Sequence, residues 1–386
     1  MQYSRNIGHL SPSATLQLSA KAKEMLQSGR DVVSLSAGQP DFPTPAPIAE
    51  AAFRAISEGK TGYTASSGIP ELRKAVASGY SARRGLEWSQ SEVIVSCGAK
   101  FSLSILIASA INPGDRVLLP RPYWVSYPEM VLTWGGIPVY PEGDINGDSI
   151  RKAAAEGAVG VLLNYPSNPS GYVPTVEEMR NIADAVADTG IWVISDDIYE
   201  DLCYLDSGTP HILDVRPDLK ERTAVVSGVS KTYSMTGWRI GYCLCNAEWS
   251  RLAGMLQAHT TSNPCSISQW AALAALEGSA EAQRAEMLQA FRNRRDLICS
   301  LLSNEERLQF ERPEGAFYVF ARVLVEGTLD SAEFCGELLE KEELAIIPGS
   351  AFGAEGYIRI SFAASDEDIR EGVRRLGRFL RGRYDT

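Results

Sequence analysis

The sequence predicts an α/β fold: a large domain with a mainly parallel seven-stranded sheet between helices, and a smaller α+β domain. Between residues 60 and 245, short apolar runs alternate with longer amphipathic ones. Strands that are apolar throughout, separated by helices, belong to a parallel sheet covered on both faces. Beyond residue 280 a long charged stretch leads into short segments of mixed strand and helix character. A chain of 386 residues also exceeds what one ordinary core serves, so two domains are expected. The division read from the sequence is an N-terminal arm and part of the small domain over 1–45, a large domain over 46–285, and a C-terminal small domain over 286–386.

The strands of the large domain are expected at Val93–Ser96, Arg116–Leu119, Ile137–Tyr140, Gly160–Asn164, Trp192–Ser195, Thr223–Ser227 and Ile240–Cys245. Helical stretches such as Ala99–Ile111 and Val176–Thr189 lie between them. Two breaker-rich segments interrupt the pattern, the turn Asn112-Pro-Gly-Asp115 and the loop Asp41–Pro47. The loop marks the passage from the small domain into the large one. A helix from about Ala280 to Ser303 follows, with Arg292, Arg294 and Arg295 on its solvated side. The small domain then reads as strand Ala316–Ala321, helix Ser331–Lys341, strands Ala345–Ile347 and Tyr357–Phe362, and a helix from Asp366. No internal repeat or low-complexity segment is visible.

Composition narrows the function classes. The hydrophobic fraction of 45% and charged fraction of 22% are those of a soluble globular protein. No apolar run is long enough to span a bilayer, and Met1–Leu10 has no apolar signal core. A net charge of −11 argues against nucleic acid and anionic membrane as partners, but not against small anions at local cationic sites. Seven scattered cysteines, an odd number mostly in apolar segments, suggest free thiols in the cytoplasm. Cys243 and Cys245 share one face of a strand, yet the three histidines are unrelated to them, so no metal site is expected.

The chemistry gathers beyond the carboxyl ends of the strands, where ligands bind in such sheets. Lys231 follows the sixth strand among small and hydroxylated neighbours, including Ser230, and Arg239 lies eight residues on. A lysine that forms an imine needs a low-dielectric, partly cationic setting, and a guanidinium with hydroxyl groups suits a phosphate. A solvated loop lysine and a surface arginine are the alternative. Asp196 ends a strand, as a buried anion in need of a cation or as a helix cap. Tyr199, three residues on, would lie one helical turn away on the same face. Gly98, Ala99 and Lys100 open a helix, where backbone N–H groups and the helix dipole attract phosphate, or they form a plain strand-to-helix turn. Arg359 alternates with Ile358 and Ile360, either an inward carboxylate grip or an edge-strand surface charge.

Several stretches resemble the class I aminotransferases, the aspartate aminotransferase-like enzymes of pyridoxal phosphate fold type I, particularly their bacterial branch. They are Pro12-Ser-Ala-Thr15, Ser36-Ala-Gly-Gln-Pro-Asp-Phe42, Gly62–Arg73, Pro122-Tyr-Trp-Val-Ser-Tyr127, Asn164–Gly171, Ser195-Asp-Asp-Ile-Tyr199, Ser227–Tyr242 and Tyr357-Ile-Arg-Ile-Ser361. Each is weak alone; their order and spacing over nearly the whole chain is specific. The resemblance implies pyridoxal 5'-phosphate held as a Schiff base on Lys231. It implies Asp196 on the pyridinium nitrogen, and Tyr199 with Asn168 on the phenolic oxygen. Gly98, Ala99, Lys100, Ser230 and Arg239 are implied around the phosphate, and Trp124 against the ring. The Asn168–Pro169 bond is implied to be cis, aiming the side chain of Asn168; a plain Asn-Pro turn is the other reading. Tyr63 is implied to reach the cofactor of a neighbouring subunit, so the enzyme would be a homodimer with shared sites. Arg359 and Gly38 are implied to hold the substrate α-carboxylate.

The implied reaction is transamination, most simply from L-aspartate to 2-oxoglutarate. In the bacterial branch a lysine placed like Lys100, with hydroxyl residues like Ser13 and Thr15, goes with the distal carboxylate of the substrate. Ser11 stands where relatives that use prephenate often carry a basic residue, a departure that counts against that activity. An aromatic, alanine or specialised biosynthetic substrate is the alternative, as is a pyridoxal phosphate-dependent lyase on the same scaffold.

Overall fold

The computed structural model describes Gly8, Leu10 and residues 14–384. Ser11 and Ser13, singled out above for specificity, lie outside the described residues, as does Pro12.

The first strand, β1 (Val33–Ser34), precedes a seven-stranded sheet built from β2 (Val93–Ser96), β3 (Arg116–Leu118), β4 (Ile137–Val139), β5 (Ala158–Asn164), β6 (Trp192–Asp196), β7 (Thr223–Gly228) and β8 (Gly241–Leu244). Its order is β2-β8-β7-β6-β5-β3-β4. All neighbours run parallel except β8, which is antiparallel to both β2 and β7. The central strands are buried on both faces, which is why they read as unbroken apolar runs. One core packs below the sheet on helices Pro70–Arg84 and Val176–Thr189; another packs above it on helix Ala99–Ala110. Gly160 in β5 has no side chain because the indole of Trp192 fills that space.

The helix Val176–Thr189 matches the sequence expectation at both ends and shows why. Thr175 and Glu178 form a reciprocal capping box at its start. At its end Gly190 takes the left-handed conformation, φ 74°, that a side chain would disfavour.

The smaller sheet contains β9 (Leu308–Phe310), β10 (Tyr318–Val323), β12 (Ile347–Pro348) and β13 (Tyr357–Ser361), in the antiparallel order β12-β13-β10-β9. The expected strand Ala345–Ile347 is in fact two pieces. Its first part, β11 (Leu344–Ala345), leaves this sheet to pair in parallel with β1. Helices Ser331–Glu342 and Asp366–Tyr384 cover the small sheet around Phe334, Leu338, Val373 and Phe379.

The long helix Glu281–Leu302 departs from expectation on its arginine face. Arg294 and Arg295 are mostly covered rather than solvated. Arg294 makes two hydrogen bonds to Asp41, at 2.7 and 2.9 Å, and lies over the ring of Phe42. Arg295 lies over Tyr204. Long cations can bury their stems against aromatic surface while their charged ends pair, and a helical pattern does not show that. Among the described residues all seven cysteines are free.

Candidate active site

The parallel register brings Asn164 of β5 beside Asp196 of β6, and Asp196 beside Val226 of β7. These strand ends, with the turn that follows β7, wall a cavity of about 550 Å³. Of the residues expected at the site, Thr15, Gly38, Ala99, Lys100, Trp124, Asn168, Asp196, Tyr199, Ser230, Lys231, Arg239 and Arg359 line it.

Lys231 enters from the turn after β7, and its Nζ donates to the carbonyl of Gly38 at 2.5 Å. Loss of hydration, then Arg239 and Arg359, bring its pKa down to about 8. The amine is therefore a usable nucleophile and base near neutrality. Arg239 sits in the left-handed region at φ 58°, which turns its guanidinium back to the carbonyls of Thr236 and Cys97. There it packs on Gly98, whose φ of 87° and missing Cβ are both required, since a Cβ would run into Nη2. Gly98 lies just behind the cavity wall, and Ala99 and Lys100 begin the helix beyond it.

Asp196 is buried at 3% exposure, and its pKa is raised to about 7. Burial is the main cause; the hydrogen bonds from Tyr127 Oη at 2.7 Å and from the Ile198 amide act against it. Among the described residues no basic side chain forms an ion pair with it. Next to it, Asp197 is kept below the usual carboxylate range. Burial there is outweighed by His211, whose Nε2 is 3.2 Å from Oδ2, and by Arg84.

Arg359 reaches the cavity from β13. It is 3% exposed; Nη1 donates to Asn168 Oδ1 and Nη2 to the carbonyl of Ser36, both at 3.0 Å, while Nε is unpartnered. A buried guanidinium with no carboxylate beside it is a costly arrangement that an anionic ligand would relieve. The ring of Tyr318 lies against it, and the hydroxyl of Tyr318 meets that of Tyr199.

Two expectations change. Asn168–Pro169 is trans; among the described residues the cis bonds are Arg121–Pro122 and Tyr165–Pro166. Asn168 is aimed by the hydrogen bond its backbone N–H donates to Asn164 Oδ1 and by the one its Oδ1 accepts from Arg359. The turn around it is closed by the Gly171 amide donating to the Ser167 carbonyl. Tyr199 stands in a turn rather than a helix, because Asp196 still belongs to β6. Tyr63, expected at the cofactor of a neighbouring subunit, does not line the cavity of its own chain and is 96% exposed. Lys100 lies at the rim over the ring of Trp124, with its pKa lowered by lost hydration and by Arg239.

Sequence reasoning passed over Tyr127, Tyr318, Ser36 and Thr236, which also line the cavity. Tyr127, Ser36 and Thr236 sat inside matching stretches, so a signal for them existed. Tyr318 lies on an element that looks like an ordinary core strand.

The pattern of the class I and II aminotransferases matches residues 30–376. The chain belongs to this family. Its relatives include the aspartate aminotransferase of Geobacillus stearothermophilus, 39% identical over 99% of this chain and 100% of that one. A probable aspartate/prephenate aminotransferase of Aquifex aeolicus is 40% identical over 97% of both chains. Among solved structures, the aspartate aminotransferase of Thermus thermophilus with maleate superimposes with a TM-score of 0.93, at 36% identity over 98% of this chain and 100% of that one.

Aminotransferases of this type use pyridoxal 5'-phosphate. Three features of this aminotransferase fit that molecule. Asp196 is a buried carboxyl that forms no ion pair among the described residues. Gly98, Arg239 and Ser230 leave a small, cationic cradle at the start of a helix, suited to phosphate. Lys231 offers a primary amine of lowered pKa between the two.

Proposed function

We propose that this aminotransferase moves the amino group of L-aspartate to 2-oxoglutarate, working as a homodimer with shared sites. The observation that carries this reading is the pair of cations on one cavity: Arg359, buried, and Lys100, at the rim. Among the described residues neither pairs with a carboxylate, and a dicarboxylate substrate supplies one for each.

In this reading Asp196 would hold the ring nitrogen of pyridoxal phosphate, and Tyr199 with Asn168 its phenolic oxygen. Trp124 would cover the ring. The backbone of Gly98, Ala99 and Lys100, with Ser230 and Arg239, would hold the phosphate, and Lys231 the carbonyl carbon. When bound, the cofactor supplies a carbonyl that takes up the amino group and a ring that accepts electrons released at the substrate Cα. Arg359 and the backbone of Gly38 fix the α-carboxylate, leaving Cα facing Lys231. Nζ of Lys231 then takes the Cα proton as general base and returns it as general acid, a role matched to a pKa of about 8. Lys100, with Thr15, receives the distal carboxylate.

The dimer reading is supported by exposed apolar side chains, with Tyr63 at 96%, Phe53 at 71% and Ile56 at 48%. We also assign the chain three parts: an arm and part of the small domain at 1–45, a large domain at 46–285 and a small domain at 286–386. Among the described residues no helix is long and apolar enough to cross a membrane. With free thiols, this supports a cytoplasmic location.

The deciding experiment is a half-reaction scan. The yellow holoenzyme is mixed with single amino acids and loss of its visible band is followed. Aspartate and glutamate should react fastest and yield oxo acids. Fastest reaction with an aromatic amino acid or alanine, or release of pyruvate and ammonia, would overturn the assignment.

A further inference from the structure

Two tyrosines from different sheets meet at the floor of the cavity. Tyr199 stands in the turn after β6, and Tyr318 opens β10. Both are buried, and their hydroxyl oxygens lie 2.8 Å apart with the rings edge to face. The ring of Tyr318 also faces the guanidinium of Arg359, 4.2 Å from the ring centre. Its hydroxyl lies 3.5 Å from where a Cβ on Gly38 would stand. One side chain thus packs on the carboxylate grip, lies close to Gly38 and meets Tyr199.

Each phenol has one proton, so only one of the two can donate in this pair. If Tyr199 donates, it presents only lone pairs to the cavity. If Tyr318 donates, the proton of Tyr199 is free to point inward. The cation against the ring of Tyr318 favours negative charge there, and of two phenols the more acidic is the better donor. The nearby Asn168 Oδ1 and Ser36 carbonyl already accept from Arg359.

We propose that Tyr318 is a positioning residue that donates its O–H to Tyr199 and so directs the proton of Tyr199 into the cavity, toward the phenolic oxygen of the cofactor. This rests on the function proposed above for Tyr199.

The test is a spectral pH titration of the holoenzyme, which needs no turnover. A donor on the phenolic oxygen draws electron density from the bound cofactor and lowers the pH at which its visible band changes. In Tyr318→Phe, which keeps the ring against Arg359, the midpoint should rise by about half a pH unit, the scale of one neutral hydrogen bond. Tyr199→Phe should raise it at least as far, and the double variant no further than Tyr199→Phe alone. A Tyr318→Phe midpoint equal to wild type, or a double variant whose shift is the sum of the two, overturns the inference while leaving Tyr199 in its role. An unmoved midpoint in Tyr199→Phe overturns both.

Discussion

Lys231 is held by a contact from outside its own sheet: its Nζ donates to the carbonyl of Gly38, 2.5 Å away, on the segment that follows β1. The amine is thereby fixed at the centre of the cavity, while burial, Arg239 and Arg359 disfavour its charge. Cofactor-free protein should therefore take up pyridoxal phosphate at a rate that climbs and levels off through about pH 8, as Nζ loses its proton. Stopped-flow absorbance measures this. A profile still rising steeply at pH 10 would show an ordinary lysine.

Asp196 carries the opposite sign. Its folded pKa, about 7, lies above that of the unfolded chain, so between pH 4 and 7 the folded state binds more protons. Its contribution to stability is complete at low pH and is lost as pH rises through 7. Asp196→Asn should stabilise the cofactor-free protein by about 2 to 4 kcal/mol at pH 8 and by almost nothing at pH 4. Urea melts at the two pH values check this. The same variant should bind the cofactor more weakly, because the ring nitrogen loses its anion.

Arg359→Lys keeps the charge but loses the planar fork that reaches Asn168 and Ser36. kcat/KM should fall about 100-fold for every amino acid alike, because all share the α-carboxylate. A loss confined to dicarboxylic substrates would move Arg359 to the side-chain end of the site.

Lys100→Ala should cut the preference for aspartate over alanine about fivefold, the worth of one partly hydrated ion pair. Alanine kinetics should stay nearly constant. An unchanged preference would remove the dicarboxylate argument.

Shared sites have a simple consequence for mixtures. Tyr63→Phe and Lys231→Ala protein, unfolded together and refolded, should form mixed dimers with one intact site each. Cofactor affinity per functional site should return to the wild-type value, about tenfold tighter than in Tyr63→Phe alone. No recovery would show that Tyr63 serves its own chain or none.

The strand ends were readable because burial on both faces writes itself into unbroken apolar runs. Once β5, β6 and β7 are placed, Asn164, Asp196 and Lys231 follow from topology. Trp192–Asp196 shows the limit, since the strand runs one residue past its expected end and takes Asp196 with it. That residue moves Tyr199 from a helix into a turn. Side-chain contacts between distant segments were not legible. Tyr318 is one of several aromatic residues in an apolar strand, and nothing local distinguishes it from Phe317 or Phe320. Arg294 failed for a related reason: its partner, Asp41, is far away in the chain, and helical spacing sees only near neighbours.

The pairing of β1 with β11 bears on how the protein is made. Val33 lies beside Leu344, and the amide of Ser361 donates to the carbonyl of Leu35. The segment that carries Ser36 and Gly38 is thus synthesised well before its partners, and it has no sheet to join until residues near 345 and 361 have left the ribosome. The strands around Lys231 are complete by Leu244. A growing chain closes the lysine side of its cavity first and waits about a hundred residues for the arginine side, at a translation pace of roughly 5–20 residues per second.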